Sequence, residues 1–564
     1  MNGRNCCFDE MKAIHHSSGA MRLMSMMLAL ACAIASAPAQ TNVAEIRKLS
    51  LDECIAIALE HNLGLQIARY TPQIARYTLA GSYGVYEPNL FLSGQHDYNK
   101  TAGGVDSSGQ IFLGTDSDAN TLSGGLSGML PWGTAYNLGV SASDQWGSKS
   151  GFVSDPTNPT GFTTNNFIDA GGNPVTLIST NFGILPARFP FESTSAQAGA
   201  LTLSQPLLKN FWIDSSRYVI YANKKGVRSS EEDFRSTVMG TITAVEGAYY
   251  RLVSTEDFVR VQEKALELAA QLLAENKKRV EVGAMAPLDE KQAQSQAAAS
   301  RADLLNAQAL RDTAQRTLKS LLSENYTNEW AGVVVAPTDL LLAIPQQYDL
   351  QESWRKGLAQ SPVLVAARLG IDVAKYNIRF QRNQLFPQVD VFGSYGYNGA
   401  GKEFSGALDQ IQQQNNPFWS FGAQLSIPLG QRSARNNYKT AKASKQQLDL
   451  QYRQTEQSLL IAIENDMTTA KANFEQVDAT RQARLYSEAA LEAEQKKLEN
   501  GKSTSFIVLQ LQRDLTTARA NEILALVQYN IALAQLALDE GSTLERRRVD
   551  LNLQTLETRP LGQR

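Results

Sequence analysis

The chain has 564 residues, of which 43% are hydrophobic and 19% are charged, and this balance excludes a disordered chain and a bundle of membrane helices. The formal net charge of −3 gives no electrostatic reason to expect a nucleic-acid partner. Beyond the N-terminus, no apolar run approaches the roughly 18 residues of a membrane helix, so a membrane crossing would require strands.

Residues 1–39 are predicted to be a secretory signal. The apolar run from Leu23 to Ala35 follows a basic residue and ends in two small-residue motifs, which is the pattern of a cleaved export segment. Residues 1–20 fit no signal pattern, so Met21 is an alternative start. Two other interpretations stay open: the run is a short buried helix, or the chain is attached to lipid through Cys32.

The segment from Leu51 to Pro88 is repeated from Leu350 to Pro387. At a constant offset of 299, nine positions are identical, where chance would give about two. The identical pairs are Leu51/Leu350, Glu53/Glu352, Leu59/Leu358, Leu65/Leu364, Ala68/Ala367, Arg69/Arg368, Ala75/Ala374, Tyr77/Tyr376 and Pro88/Pro387. Both copies begin with a capping box, opened by Ser50 or Asp349. The repeat therefore predicts two equivalent helices, each ending before its proline and each followed by a strand.

The segments after these helices alternate apolar and polar residues. In copy two, Val389, Val391, Tyr395 and Tyr397 alternate with polar or small residues, and the return segment alternates Trp419, Phe421, Ala423, Leu425 and Ile427 in the same way. A period of two predicts strands with lipid on one face and water on the other. An ordinary half-buried sheet fits the period equally well, and the export signal favours the membrane.

The strand region of copy one is the longer of the two. We place the strand regions at about 88–207 and 387–429, and copy one holds 77 more residues between its matching prolines than copy two. Within this excess, residues 122–130 and 136–142 read as two further strands joined by a tight turn at 131–134. The order of long, short and long connections favours two extra strands in a membrane wall. A hairpin folded over the mouth is the alternative.

Long helices follow the strands in each copy. Residues about 215–282 and 431–500 are rich in Ala, Gln, Glu, Lys and Arg and contain no proline, and second helices are predicted over about 288–322 and 505–540. Helices of this length reach on the order of 100 Å. A soluble coiled-coil rod would explain the helices, but it leaves the strands and the signal unexplained.

The turns between the long helices also correspond. The segment Lys278–Gly283 matches Lys496–Gly501 at an offset of 218. Each glycine follows a long helix, at the position where a left-handed residue is favoured. We therefore expect two helical hairpins with glycine at both tips.

The duplicated order of helix, strand, strand and helical hairpin resembles the TolC family of outer-membrane efflux proteins over residues about 50–540. The tip segments Val282–Asp289 and Asn500–Ile507 also resemble the family's Val-Gly-containing tips. The resemblance implies a mainly α fold with membrane β-strands. It implies a homotrimer that closes a β-barrel in outer-membrane lipid and continues it as a long α-helical barrel through the periplasm.

The resemblance also implies a passive exit duct of a tripartite efflux or type I secretion system. An inner-membrane pump would deliver the substrate through a periplasmic adaptor protein. In this interpretation residues 40–345 form the first repeat, 346–540 the second, and 541–564 a polar tail. The substrate, and the choice between efflux and protein secretion, are not separable from the sequence because the pump selects the cargo.

Candidate functional residues lie at the tips. The adaptor contacts carried over from the family are Gly283, Ala284, Met285, Gly501, Lys502 and Ser503. Asp289 matches the family's acidic position and is a candidate pore constriction, although an Asp in a first helical turn also suits the helix dipole. The second tip departs from the family pattern, because Ile507 and Gln510 stand where acids are expected.

The sequence shows no catalytic constellation, zinc spacing or phosphate loop. We therefore predict a protein that is not an enzyme and uses no cofactor. The alternative function, from another class, is a structural coiled-coil assembly protein of the periplasm.

Overall fold

A computed structural model describes residues 45–550, except 106, 108–110, 158–161, 170 and 181–183. The predicted signal, the alternative start and Cys32 lie outside the described residues. So do residues 551–564 of the predicted tail.

The order of elements shows the duplication directly. The first elements are β1 (Glu45–Leu49), α1 (Leu51–His61), α2 (Leu63–Ser82), β2 (Asn89–Thr101), β3 (Thr115–Met129), β4 (Ala135–Ser154), β5 (Ile184–Pro206), α3 (Ser215–Glu281) and α4 (Pro287–Leu322). The next are β6 (Val333–Pro337), α5 (Leu350–Gln360), α6 (Pro362–Asn383), β7 (Gln388–Gly401), α7 (Phe404–Gln412), β8 (Pro417–Ser426), α8 (Arg432–Glu499), α9 (Ser505–Asp539) and α10 (Thr543–Arg546).

Each helix predicted from the repeat is in fact two helices. α1 ends at His61 because Asn62 has an extended backbone (φ −65°, ψ 119°), and the Asn62 side chain then caps α2 by accepting the Leu65 N–H at 3.0 Å. In copy two the break falls at Ser361, since Pro362 has no N–H for the preceding turn and instead starts α6. The prediction of single helices was therefore wrong, whereas both helix starts are confirmed.

Six described strands form one antiparallel sheet, which we call the wall sheet, in the order β8-β7-β5-β4-β3-β2. The two extra strands of copy one are therefore part of the same sheet and do not fold over it. Both are longer than predicted, because their Gly-, Ser- and Thr-rich ends lack apolar alternation yet make the same ladder of backbone hydrogen bonds. The turn between them is tight, with the Gly133 N–H donating to the Leu130 carbonyl (2.8 Å) and φ of Gly133 at +90°.

The connections contain elements that the sequence did not predict. Phe162–Ile168 pairs with Pro174–Thr180 between β4 and β5, and α7 lies between β7 and β8. α7 packs closely against β7, because a Cβ added at Gly399 would lie 1.9 Å from the Ala407 carbonyl oxygen. Glycine is thus required where the helix crosses the strand.

The long helices agree with the predicted bounds to within about one residue. α3 has 67 residues, which corresponds to about 100 Å. α3 packs against α2, α4, α6 and α9, while α8 packs against α6 and α9. Within the described ranges, none of the helices combines the length and the apolar character needed to cross a membrane.

The largest buried core surrounds Tyr249 in the middle of α3. The Tyr249 hydroxyl lies 2.9 Å from a carboxylate oxygen of Asp339 and 3.0 Å from the Leu49 carbonyl, and it accepts the Thr338 N–H at 3.2 Å. The same Asp339 oxygen accepts the Leu51 N–H at 2.7 Å, at the start of α1. Burial raises the pKa of Tyr249 above its usual range. One phenol therefore joins the first strand, the first helix, α3 and the segment between the copies.

The C-terminal segment is tied to the same core. Arg547 forms an ion pair with Glu246, which is 1% exposed, and also lies within 3.3 Å of the Tyr250 hydroxyl. Breaking one partner of such a buried pair would leave an uncompensated charge. Residues 541–550, which we assigned to the polar tail, therefore include a packed part.

We expect Tyr249→Phe to lower the free energy of unfolding by about 1–3 kcal/mol, because buried carbonyl and N–H groups lose their partner. Urea unfolding followed by the helical circular dichroism signal measures this. Tyr486→Phe is the matched control, since Tyr486 is exposed on α8, and it should change little. Equal effects of the two variants would contradict the proposed role of the phenol.

Candidate functional site

One face of the wall sheet is apolar along a row that crosses all six described strands. Residues that pair directly across strands project from the same face, and the pairing joins Leu90, Leu126, Leu138, Leu201, Tyr395 and Trp419 in one row. Each of these side chains is exposed, with Leu90 at 76% and Trp419 at 68%. Further exposed residues of the same face are Leu92, Leu122, Val140, Leu203, Val391, Phe421 and Leu425. We call these residues the apolar band.

The adjacent row on the opposite face is polar in every strand. It consists of Asn89, Ser127, Asn137, Thr202, Ser394 and Ser420. Facing hydroxyls hydrogen-bond across strands, as Ser394 and Ser420 do at 2.7 Å. The sheet therefore has one apolar face, which suits contact with lipid, and one polar face, which suits contact with water. The sequence had predicted this pattern for copy two, and the structure extends it to copy one.

The apolar band ends at a polar row farther along the strands. His96, Asn120, Asp144 and Thr194 pair in sequence across β2, β3, β4 and β5, on the face of the apolar band. Between Tyr136 and Asp144, β4 advances about 27 Å at roughly 3.4 Å per residue. At the tilt of about 40° of outer-membrane strands, this length corresponds to a height of about 21 Å, which is comparable with their apolar height of about 25 Å.

The opposite end of the molecule consists of two helical tips, formed by residues 279–289 and 497–507. Gly283 and Gly501 have φ of +79° and +74°, which confirms the predicted left-handed conformation. The Ala284 N–H donates to the Arg279 carbonyl and the Lys502 N–H to the Lys497 carbonyl, each at 2.8 Å. Both glycines therefore close Schellman motifs, and a Cβ added at either would meet no described atom within 4 Å.

The tips present an exposed surface. Ala284 and Lys502 are exposed, while Met285 and Ser503 are half-buried. Apolar side chains accompany them: Val282, Leu288, Phe506 and Ile507 are 78%, 66%, 55% and 41% exposed. Exposed apolar groups at the end of a long hairpin are typical of a protein contact surface. Glu494 stabilises the second turn, because it accepts a hydrogen bond from Ser503 at 2.5 Å and forms an ion pair with Lys497. Both contacts lower the pKa of Glu494, and the contact with Lys497 has the larger effect.

The acidic candidate joins the two tips. Ser505 is 1% exposed, and its hydroxyl donates to a carboxylate oxygen of Asp289 at 2.9 Å. Ile507 and Gln510 are exposed and supply no charge there. The sequence did not identify Ser505, because a serine at the start of a helix is an ordinary capping residue and its partner lies 216 positions away.

One end of the molecule carries an apolar sheet face of about the height of a membrane. The other end, about 100 Å away, is an exposed helical tip. Together these two features define an outer-membrane channel protein. Comparison with known proteins agrees. A family model described as outer membrane efflux protein matches residues 186–324 and 355–539. The chain belongs to this family, and it is an outer-membrane channel and not an enzyme.

Two relatives and one solved structure illustrate the similarity. The outer membrane protein TolC of Vibrio cholerae is 26% identical over 373 residues, covering 64% of this chain and 80% of that protein. The alkaline protease secretion protein AprF of Pseudomonas aeruginosa is 26% identical over 260 residues, covering 44% of this chain and 50% of that protein. The CmeC outer membrane channel of Campylobacter jejuni shares the fold, with a TM-score of 0.59, 15% identity and coverage of 87% and 86%. The predicted family, fold class and outer-membrane location are thus confirmed.

We expect Gly283→Ala to destabilise the first tip locally by about 1–2 kcal/mol, because an alanine is strained at positive φ. Amide hydrogen exchange at the tip should accelerate about five- to thirtyfold. Gly226→Ala is the control, since Gly226 lies inside α3 with no described atom within 4 Å of an added Cβ, and it should stabilise the helix slightly. Unchanged exchange at the tip would contradict the backbone role.

Proposed function

We propose that three copies of this chain form a passive exit duct of a tripartite efflux or type I secretion system. The observation that carries the proposal is that one helix, α3, directly follows a strand of the wall sheet and ends at a tip about 100 Å away. Such a chain can connect an outer-membrane opening with a partner deep in the periplasm. Residues 40–345 and 346–540 act as the two repeats of each copy.

The wall sheet supports closure by further copies. Backbone N–H and C=O groups at a sheet edge have no water to bind within lipid, so an open edge there is very unfavourable. Among the described residues, β2 and β8 each pair with a strand on one side and are free on the other. In a closed ring of identical chains, each edge strand pairs with an edge strand of the neighbouring chain, so no edge stays open.

The tips support docking to a periplasmic adaptor protein. Gly283 and Gly501 leave room for close approach of another helix, and the exposed apolar side chains beside them offer surface to bury. An inner-membrane pump would supply the energy. The family description names efflux and the name of one relative names protease secretion, so in our proposal that pump sets the substrate class and residues of this duct do not.

Asp289 is proposed as the pore constriction. The hydrogen bond from Ser505 positions the Asp289 carboxylate between the two tips of one chain. Three chains would bring three carboxylates around the axis. A coiled-coil assembly protein of the periplasm, the alternative from another class, has no use for the apolar band.

Cysteines at Ala284 and Lys502 are expected to cross-link to a periplasmic adaptor in intact cells, because both positions are exposed at the tips. Immunoblotting and mass spectrometry of the adduct measure this. Lys439→Cys is the control, since Lys439 is exposed on α8 far from the tip. Adducts at Lys439 and none at the tips would contradict adaptor docking there.

Conductance in planar bilayers tests the constriction. Asp289→Asn should raise anion passage relative to cation passage, because it removes the charge while keeping an oxygen that accepts from Ser505. Ser505→Ala keeps the charge and removes the hydrogen bond, so it separates the two roles. Wild-type conductance and selectivity in Asp289→Asn would dismiss the constriction.

A further inference from the structure

A groove of about 800 Å³ lies on the apolar face of the wall sheet, beside the start of α7. Strand pairing joins one row across β7, β5, β4 and β3, formed by Gly399, Ala196, Ala142 and Leu122. Leu122 belongs to the apolar band, so Gly399 and the helix that packs on it lie on the same face as the band. The groove therefore lies between α7 and the strands, on the side of the wall that suits lipid.

A buried hydroxyl anchors the roof of the groove to the sheet. Thr194 is 4% exposed, and its hydroxyl lies 2.9 Å from a carboxylate oxygen of Asp144 and 3.2 Å from the Lys402 carbonyl. These contacts hold the chain just before α7 against β5. The floor below is small and apolar, and it consists of Gly94, Leu122 and Ala142. A fixed roof over an apolar floor, with a few polar groups, is typical of a ligand site.

The rim of the groove carries more negative than positive charge. Among the described residues that line it, the charged groups are Asp144, Glu192, Glu403 and Lys402. The carboxylates of Glu192 and Glu403 form no ion pair with any described residue, so they are free to accept hydrogen bonds from a ligand. A phosphate group placed here would face three carboxylates and one ammonium group, which disfavours an anionic headgroup.

Two aromatic rings lie beside these carboxylates. Phe404, at the start of α7, lines the groove and is 49% exposed. Trp146 is 36% exposed, and its ring centroid lies 6.4 Å from that of His96 on the rim. Exposed rings next to hydrogen-bonding groups suit a ligand that has both an apolar face and polar edges.

The groove lies at the end of the wall sheet that points away from the helices. β2 begins at Asn89, soon after α2, and runs away from it, so His96 lies farther out than Leu90. The polar row that contains His96 and Asp144 ends the apolar band at this level. Because the long helices extend into the periplasm, this is the level of the headgroups of the outer leaflet. Acyl chains of a lipid there would reach the apolar band directly.

These features fit a sugar attached to a lipid. The hydroxyls of a sugar donate to carboxylates in charge-assisted hydrogen bonds, and the C–H face of its ring can pack on an aromatic side chain such as Phe404. We propose that the groove binds the neutral sugar headgroup of a glycolipid of the outer leaflet, whose acyl chains lie along the apolar band. The site is separate from the duct and gives the wall a preferred lipid neighbour beside α7.

Native mass spectrometry of the full chain tests this site. The protein is released from phosphatidylcholine nanodiscs that contain equal small fractions of glucosyl diacylglycerol and phosphatidylglycerol with the same acyl chains. We expect about tenfold greater retention of the glucosyl lipid, a factor within the reach of one or two charge-assisted hydrogen bonds. Ala142→Trp fills the floor and should abolish the preference. Val140→Trp is the matched control, because Val140 is exposed on the same strand and face outside the groove, and it should behave as the wild type.

Glu192→Gln combined with Glu403→Gln tests the chemistry while keeping the shape of the groove. The preference for the glucosyl lipid should fall about tenfold, because an amide accepts more weakly than a carboxylate and does not repel an anion. Free glucose at the same concentration as the glycolipid should not displace it, since glucose has no acyl chains for the apolar band.

Three results would overturn the glycolipid site. They are equal retention of the two lipids by the wild-type protein, an unchanged preference in the double glutamine variant, and the same loss of preference in Val140→Trp as in Ala142→Trp. Displacement by free glucose would also overturn it, because the ligand would then be a soluble saccharide. None of these results bears on the exit duct, which the conductance of the tip variants tests separately.

Discussion

The backbone of a strand in lipid must satisfy every N–H and C=O group within protein, and the rest of this structure follows from that constraint. Between neighbouring strands the wall sheet pairs these groups, whereas among the described residues the outer edges of β2 and β8 stay unpaired. The chain is thus built as a segment of a ring. The duplicated helices and the two tips repeat one structural unit along the chain.

The two copies are alike where they form the tube and different where they meet their surroundings. Both tips end in a left-handed glycine with the same pair of backbone hydrogen bonds. Only copy one carries an acid within a few residues after its tip glycine, namely Asp289, and Ser505 of copy two donates a hydrogen bond to it. Copy one also supplies four of the six described wall strands. The divergence therefore has a structural meaning: copy one supplies most of the described wall strands and the acid at the tips, and copy two positions that acid.

Much of the fold was predictable from the sequence because its signals are local. The bounds of α3, α4, α8 and α9 follow from long proline-free stretches ended by glycine, and the strands of copy two follow from strict alternation. The breaks at Asn62 and Ser361 were missed. In the sequence, an asparagine and a Ser-Pro pair within a periodic stretch are also compatible with one continuous helix. The ends of β3 and β4 were missed because Gly- and Ser-rich strands are specified by their neighbours.

The site was predictable only in part. The tip glycines are visible as motifs, whereas the bond between Asp289 and Ser505 joins residues from different copies and depends on how the hairpins pack. The Tyr249 hydroxyl similarly joins α3 to β1 and to residues 338–339, which are distant in sequence. Contacts of this kind arise from the assembled fold and leave no periodic trace in the chain.

The pairing of β5 with β7 has a consequence for how the protein is made. Ser204 pairs with Phe392, so the wall joins residues separated by the whole first hairpin. Contacts so distant in sequence form slowly, because the intervening loop must close first. Until β7 forms, β5 therefore has an unpaired edge on the side that β7 later occupies. An unpaired edge of this kind can pair with another chain, so the late joining of copy two is the step of folding most exposed to aggregation.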